Sequence, residues 1–293
     1  MATKLNLRHA LNSKKTVWAA GAFDALSARL IDDAGFDALL TSGFGISSSF
    51  LGQPDAELYT MTENLTVVRN VVNAVNIPVI ADIDTAYGNA LNVMRTVREF
   101  EAAGSAAVIM EDQVAPKRCP ASSDMIDIIP IDEAAGKIDA AVNARRNKDM
   151  LIIARTDAIN EDEACRRAKA YVEAGADVIQ PISKCFKNIG GLRKLRAACG
   201  VPLSLQLLGW LERDLSPAEI EEVAGIATFP LVPLMSATMA MRDNLKVLAA
   251  NKSSKGLPHA VMDHNEFSVF IGFPKIEELQ KKYLRFLPTK AAE

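Results

Sequence analysis

Charged residues fall in short, regularly spaced motifs: Asp82 and Asp84, Glu111 and Asp112, Arg155 and Asp157. Residues two apart on a strand point to one side, so Asp82 and Asp84 are expected to face together. Two carboxylates about 4 Å apart repel by roughly 4 kcal/mol at an effective dielectric near 20, so something positive should lie between them. An all-oxygen set suits a hard divalent cation, and magnesium takes only one or two carboxylates directly while keeping water and substrate oxygens in its shell. Mg2+ is therefore the expected ion, with Mn2+ as an alternative. The structural alternative is that Asp84 caps the following helix and Asp82 pairs with Arg155 or a lysine. Arg155 is the natural anion receptor, because its guanidinium grips a carboxylate with two parallel bonds and stays charged. Its structural alternative is a pair with Asp157 or Glu111, since a buried arginine must be paired in either case.

The elements that must position these groups recur along the chain. β-rich runs at 16–23, 38–43, 78–84, 106–112, 151–157, 176–182, 202–208 and 226–232 alternate with segments of helical spacing such as 90–103, 132–146, 161–174 and 217–224. Several runs are almost continuously apolar, as strands covered on both faces should be. Eight such units predict a closed (β/α)8 barrel with the charged motifs at the strand C-termini, where barrels of this kind build their sites. An open doubly wound sheet is the alternative, but no GxGxxG follows an early strand. Gly35, Gly104 and Gly175 each follow an alanine where a helix should end in a left-handed cap. A single domain over 1–293 is expected, with 251–293 as a helical tail of that domain. Its apolar positions Ile276, Leu279, Tyr283 and Phe286 sit at helical spacing and need a cover, either the barrel itself or a neighbouring subunit.

Length and composition agree. The chain has 293 residues, 49% of them hydrophobic and 24% charged, and a net charge of -3. That rules out a disordered or disulfide-built chain and leaves no basic field for nucleic acid or anionic membrane. A small-molecule partner is the expectation. The four cysteines form no CxxC pair, no stretch approaches the roughly 20 apolar residues of a membrane span, and a reducing cytoplasmic setting is expected.

Ser42-Gly43, Gly52-Gln53-Pro54-Asp55, the run from Asp82 to Asn89, Glu111-Asp112-Gln113, Pro116-Lys117-Arg118-Cys119 and the run from Ala154 to Ala158 together resemble the isocitrate lyase and phosphoenolpyruvate mutase superfamily, nearest in motif to its 2-methylisocitrate and 2,3-dimethylmalate lyase branch. The resemblance implies a Mg2+-dependent enzyme acting on small 2-oxo or 2-hydroxy acids, and a homotetramer whose barrels exchange their last helix. It places Asp84 in direct contact with the metal, with Asp82, Glu111 and Asp55 holding its water ligands. Ser42, Gly43 and Phe44 would offer donors to a substrate carboxylate, Gln206 would tune the substrate, and Arg155 would bind the reacting carboxyl. Lys117 and Cys119 would ride on a gating loop, and Cys119, its thiol pKa lowered by Lys117 and Arg118, would act as general acid. The implied reaction breaks a C2–C3 bond of a 2-hydroxy dicarboxylic acid, giving a 2-oxo acid and an enolate-type carboxylate that Cys119 protonates.

The chain departs from the lyase pattern at several positions. Cys119 is followed by Pro120 and Ala121 instead of glycine and histidine, Ile182 stands where a glutamate is usual, Gln206 replaces an asparagine, Ala86 replaces a glycine and Leu40 an aromatic. The competing expectations are a phosphonomutase, a phosphonopyruvate hydrolase or an oxaloacetate-processing enzyme of the same superfamily, and, from another class, a non-catalytic 2-oxo acid binding protein.

Overall fold

Alternation along the strands decides the layers. In the computed structural model, which describes residues 5–13, 15–120, 122–123 and 125–284, eight parallel strands close on themselves in chain order. They are β1 (Val17–Ala22), β2 (Ala38–Thr41), β3 (Val79–Asp82), β4 (Ala107–Glu111), β5 (Leu151–Thr156), β6 (Val178–Pro181), β7 (Leu203–Gln206) and β8 (Ala224–Phe229). Closure is made by β1 against β8, with Val17 opposite Ile226. The expected barrel is thus present, and no open sheet edge remains.

Val17, Ala19, Leu40, Ile80, Ile109 and Ile153 belong to one buried cluster, whereas their strand neighbours Ala20, Leu39, Val79, Val108 and Ile152 pack with helical residues such as Val68, Val97, Phe100 and Ile138. The first set fills the barrel and the second glues the helices to its outside, the two-layer arrangement that parallel strands require. Leu7 and Ala10 of the first helix, Leu7–Asn12, join the inner set. Arg8 of the same helix reaches Asp177 and the Met150 carbonyl, both just ahead of their strands, so this helix stops the N-terminal end of the barrel.

Following the inner parity toward the other end, apolar residues give way to Asp82 on β3, Glu111 on β4, Arg155 on β5, Gln180 on β6 and Gln206 on β7. Register aligns Glu111 with Arg155 and Arg155 with Gln180. Gly35, Gly104 and Gly175 have φ of 83°, 95° and 99°, the left-handed helix ends expected of them.

Several strands end earlier than expected. After Thr41 the chain turns into a short helix, Gly43–Ile46, capped by the Ser42 side chain and continued by a wider turn, Ser47–Leu51. Such short elements carry no periodic signal to read. β8 starts two residues early and carries a register shift against β7.

The described residues divide into two compact units, one through Ser236 and one from Ala237. In the second, Gly272 (φ 103°) ends the helix His264–Ile271, and Phe273–Tyr283 follows. Neither helix buries a residue, and Ile276, Leu279 and Tyr283 stand exposed. Phe286, expected on the same face, lies outside the described residues. No helix among the described residues is long and apolar enough to cross a membrane.

Candidate functional site

A cavity of about 430 Å³ opens at the C-terminal ends of the strands. Asp55, Asp82, Lys117, Cys119, Arg155 and Gln206 line it, with Ser42 and Phe44 from the loop after β2. Asp84 and Glu111 do not line it; they are buried, at 0% and 2% exposure.

The strand parity that predicted Asp82 and Asp84 side by side ends at Asp82. Asp84, Ala86 and Tyr87 all have positive φ, 49°, 65° and 61°, a backbone region that costs non-glycine residues on the order of 1 kcal/mol each. The loop is nevertheless fixed. Ile83 N–H donates to the Ile109 carbonyl at 3.0 Å and Glu111 N–H to the Asp84 carbonyl at 2.9 Å. Asn64 donates to the Asp82 carbonyl at 2.8 Å and to the Tyr87 hydroxyl at 2.7 Å. The turn brings the two carboxylates together by another route: Asp84 N–H donates to Asp82 Oδ1 at 3.1 Å, and a Cβ placed on Gly43 would lie 3.0 Å from Asp82 Oδ2 and 3.1 Å from Asp84 Oδ1. Only glycine leaves that space open.

Lys117 reaches into this cluster, its buried ammonium 2.6 Å from Asp84 and 3.0 Å from Asp55. Arg155 spans Glu111 at 2.8 Å and Asp157 at 2.7 Å, so its structural alternative is realised while it also faces the cavity. Five carboxylates (Asp55, Asp82, Asp84, Glu111 and Asp157) thus surround two cations, all of them largely buried. The imbalance shows in their proton affinities. Burial, then the Asp84 charge, pushes Asp82 up to about 6 against the pull of Lys117 and Arg155, and burial raises Glu111 despite Arg155. Burial alone would favour a neutral Lys117, but Asp84, Glu111, Asp55 and Asp82 outweigh it and hold the ammonium well above its ordinary value. Burial and the Asp84 charge likewise keep the Tyr59 hydroxyl protonated.

Glu111 Oε1 has no hydrogen-bond donor among the described residues. A buried carboxylate oxygen left unmatched costs on the order of 1–3 kcal/mol. The donor set is all oxygen, over-negative and partly unsatisfied, and it fits a hard divalent cation with water in its shell. Among the described residues no three carboxylates, histidines or cysteines converge on one point as a closed cage.

Other expectations are revised. Ser42 Oγ accepts from Gly45 N–H at 3.2 Å as a helix cap, and Gly43 N–H donates to Asp82 at 3.3 Å, not toward open space. Arg118 pairs with Asp127 at 3.5 Å, Lys117 with Asp55 and Asp84, and Cys119 beside them is half-buried. Ala121 lies outside the described residues. Gln180 and Trp210 also line the cavity and had not been singled out. Gln180 shares the inner parity of Arg155 and was findable on that ground; Trp210, in a loop helix, had no such signal.

The family described as phosphoenolpyruvate phosphomutase matches residues 7–248. The chain is 40% identical over 290 residues to the 2,3-dimethylmalate lyase of Eubacterium barkeri, covering 97% of this chain and 99% of that one. It is 34% identical over 279 residues to the 2-methylisocitrate lyase of Aeropyrum pernix, covering 94% and 89%. Among solved structures, a phosphonopyruvate hydrolase in complex with oxalate and Mg++ superposes with a TM-score of 0.86 at 32% identity, over 97% of this chain and 100% of that one.

Proposed function

This chain belongs to the phosphoenolpyruvate mutase and isocitrate lyase superfamily, and on that premise we propose that it is a Mg2+-dependent carbon–carbon lyase. Its substrate is a small substituted 2-hydroxy dicarboxylic acid, split into a 2-oxo acid and a carboxylic acid. The observation that carries this reading is the cavity floor, where five carboxylates meet only two cations beside a strand-borne arginine.

Asp82, Asp84, Glu111 and Asp55 would hold the ion. Asp84, the carboxylate nearest the Lys117 ammonium at 2.6 Å, would be the direct ligand, with Asp82, Glu111 and Asp55 holding the ion's water ligands. When bound, Mg2+ would favour the ionised form of the substrate hydroxyl. Arg155, held rigid by Glu111 and Asp157, binds the carboxylate that becomes an enolate and matches its growing negative charge. The hydroxyl proton passes to a carboxylate oxygen of the cluster, the C2–C3 electron pair moves onto the departing fragment, and Cys119 Sγ gives its proton to C3. Lys117 keeps the floor charge in balance, and Ser42, Gly43, Phe44 and Gln206 shape the substrate's remaining contacts. Leu40, Ile182, Leu208 and Trp210 line the cavity beside Ser183 and Lys184, and the apolar four suit alkyl substituents. The exposed apolar face of the C-terminal helices supports a homo-oligomer.

The test is a panel of substituted malates, methylisocitrate, oxaloacetate and phosphonopyruvate, followed by 2-oxo acid release with Mg2+ and with EDTA. Alkyl malates are expected to react only with the metal. Turnover of phosphonopyruvate or oxaloacetate alone would replace the lyase reading with the hydrolytic one. Cys119→Ser should lower turnover about 10²–10⁴-fold with Mg2+ affinity unchanged.

A further inference from the structure

Glu57 stands outside the chemistry described above, yet it touches two of the loops that build the site. Its φ is 54°, a left-handed conformation that a non-glycine residue keeps only where its surroundings over-determine it. One carboxylate oxygen accepts from Thr85 Oγ1, in the strained loop next to Asp84. The other accepts from the backbone N–H of Lys117 at 3.1 Å, sixty residues away in sequence. Two residues before Glu57, Asp55 takes the ammonium of the same lysine at 3.0 Å. The 55–57 segment therefore grips Lys117 by both main chain and side chain.

Each end of this link is anchored independently. Thr85 is fixed from behind by Lys137, whose Nζ donates to the Thr85 carbonyl at 2.6 Å. Arg118 N–H, next along the loop, donates to Gln113 Oε1 at 2.9 Å. That second contact is local, within five residues, and cannot tie the loop to the rest of the barrel mouth. The Glu57 contact can.

We propose that Glu57 is a positioning residue, a latch that fastens the backbone of the Lys117–Cys119 loop to the Asp84 loop and so sets where the Lys117 ammonium and the Cys119 thiol sit. The consequence for turnover rests on the reaction proposed above; the latch itself does not.

Two variants of the full chain, loaded with Mg2+, test it. Glu57→Gln keeps the shape and both contacts, because its amide oxygen can accept from Lys117 N–H while its NH2 group donates to Thr85 Oγ1, a hydroxyl that also accepts; it is the conservative control, expected to stay within about threefold of the wild type in every readout below. Glu57→Gly removes both contacts, and relief of the backbone strain offsets only part of that loss, so its melting temperature is expected to fall by a few degrees with the fold intact. In Glu57→Gly, hydrogen exchange across residues 116–119 should accelerate about tenfold or more, the factor that follows from losing one hydrogen bond to a charged acceptor, with exchange in β1 to β8 unchanged. Alkylation of Cys119 by iodoacetamide should accelerate in parallel, and with a substrate in hand kcat should fall while KM stays within about twofold. Unchanged exchange and unchanged alkylation in Glu57→Gly, or acceleration in Glu57→Gln as large as in Glu57→Gly, in a preparation whose wild type turns over substrate, would overturn the latch. Accelerated exchange in a protein inert toward every compound of the panel would leave the latch standing and remove the proposed reaction instead.

Discussion

Glu111 and Asp112 are neighbours in the chain, both almost fully buried, and they meet opposite fates. Asp112 points outward from β4 into a closed network: it accepts from Thr156 Oγ1 and Asp157 N–H at 2.8 Å, from Arg167 at 3.0 Å and from the Tyr171 hydroxyl at 2.6 Å. Glu111 points inward and is held by Arg155 through one oxygen, while the other has no partner among the described residues. A satisfied buried carboxylate stabilises the fold and can do nothing else. An unsatisfied one is costly in the ligand-free chain and ready for something that is not part of the chain. Arg155 joins the two regions, gripping Glu111 on one side and Asp157, itself held by Asp112, on the other.

The bridge should be the most sensitive point. Arg155→Lys keeps the charge but loses the planar fork, so it can no longer serve Glu111, Asp157 and a substrate carboxylate together. We expect kcat/KM to fall about 10²–10³-fold, measured with whichever panel compound reacts. The same loss of stability as activity would mean that the arginine belongs wholly to the structural network. Asp112→Asn should sharpen the contrast from the structural side. Its new NH2 group would face donors only and leave Arg167 without its buried charge partner, a loss of about 3–5 kcal/mol and thus roughly 10 °C or more in melting temperature.

Asp82→Asn should move stability the other way. With its carboxyl raised from 3.8 to about 6, the native state holds a proton that the unfolded chain has already released between those values. This group's contribution to stability therefore falls as pH rises through that window and stays low above it. In EDTA at neutral pH the asparagine variant should be more stable by on the order of 2–3 kcal/mol, with the gap closing near pH 4. Added Mg2+ should stabilise the wild type and not the variant. Denaturant midpoints against pH, with and without metal, read both effects; a variant less stable than wild type in EDTA would break the distinction between the two regions. The smallest effect belongs to Tyr171→Phe, which removes one of four donors to Asp112 and should cost about 1–2 kcal/mol with kcat unchanged.

Much of the barrel was legible because it is written in local pattern. Continuous apolar runs on β3, β4 and β5 lead up to Asp82, Glu111 and Arg155 at the C-terminal ends of their strands, and the Ala-Gly pairs mark helix ends. The acidic character of the rim was legible from residue type, and the family from motif order. Where a strand gives way to a loop, that legibility stopped. Strand parity predicts that Asp84 lines the site with Asp82, but positive φ at Asp84 turns it into the protein. Charge proximity in sequence groups Lys117 and Arg118 with Cys119, and only the fold shows that Lys117 pairs with Asp55 and Asp84 and Arg118 with Asp127.

The amino-acid order by itself determined the eight repeating units, the inner and outer faces of each strand and the chemical types gathered at one rim, because these follow from periods of two and 3.6 residues that any stretch of chain obeys. Only the folded chain decided which carboxylate oxygens are left without partners, that Lys117 drops between Asp55 and Asp84, and that Glu57 meets both Thr85 and the Lys117 backbone. Those contacts join segments from different loops, and no local periodicity encodes a distance between residues that the closing of the barrel brings together.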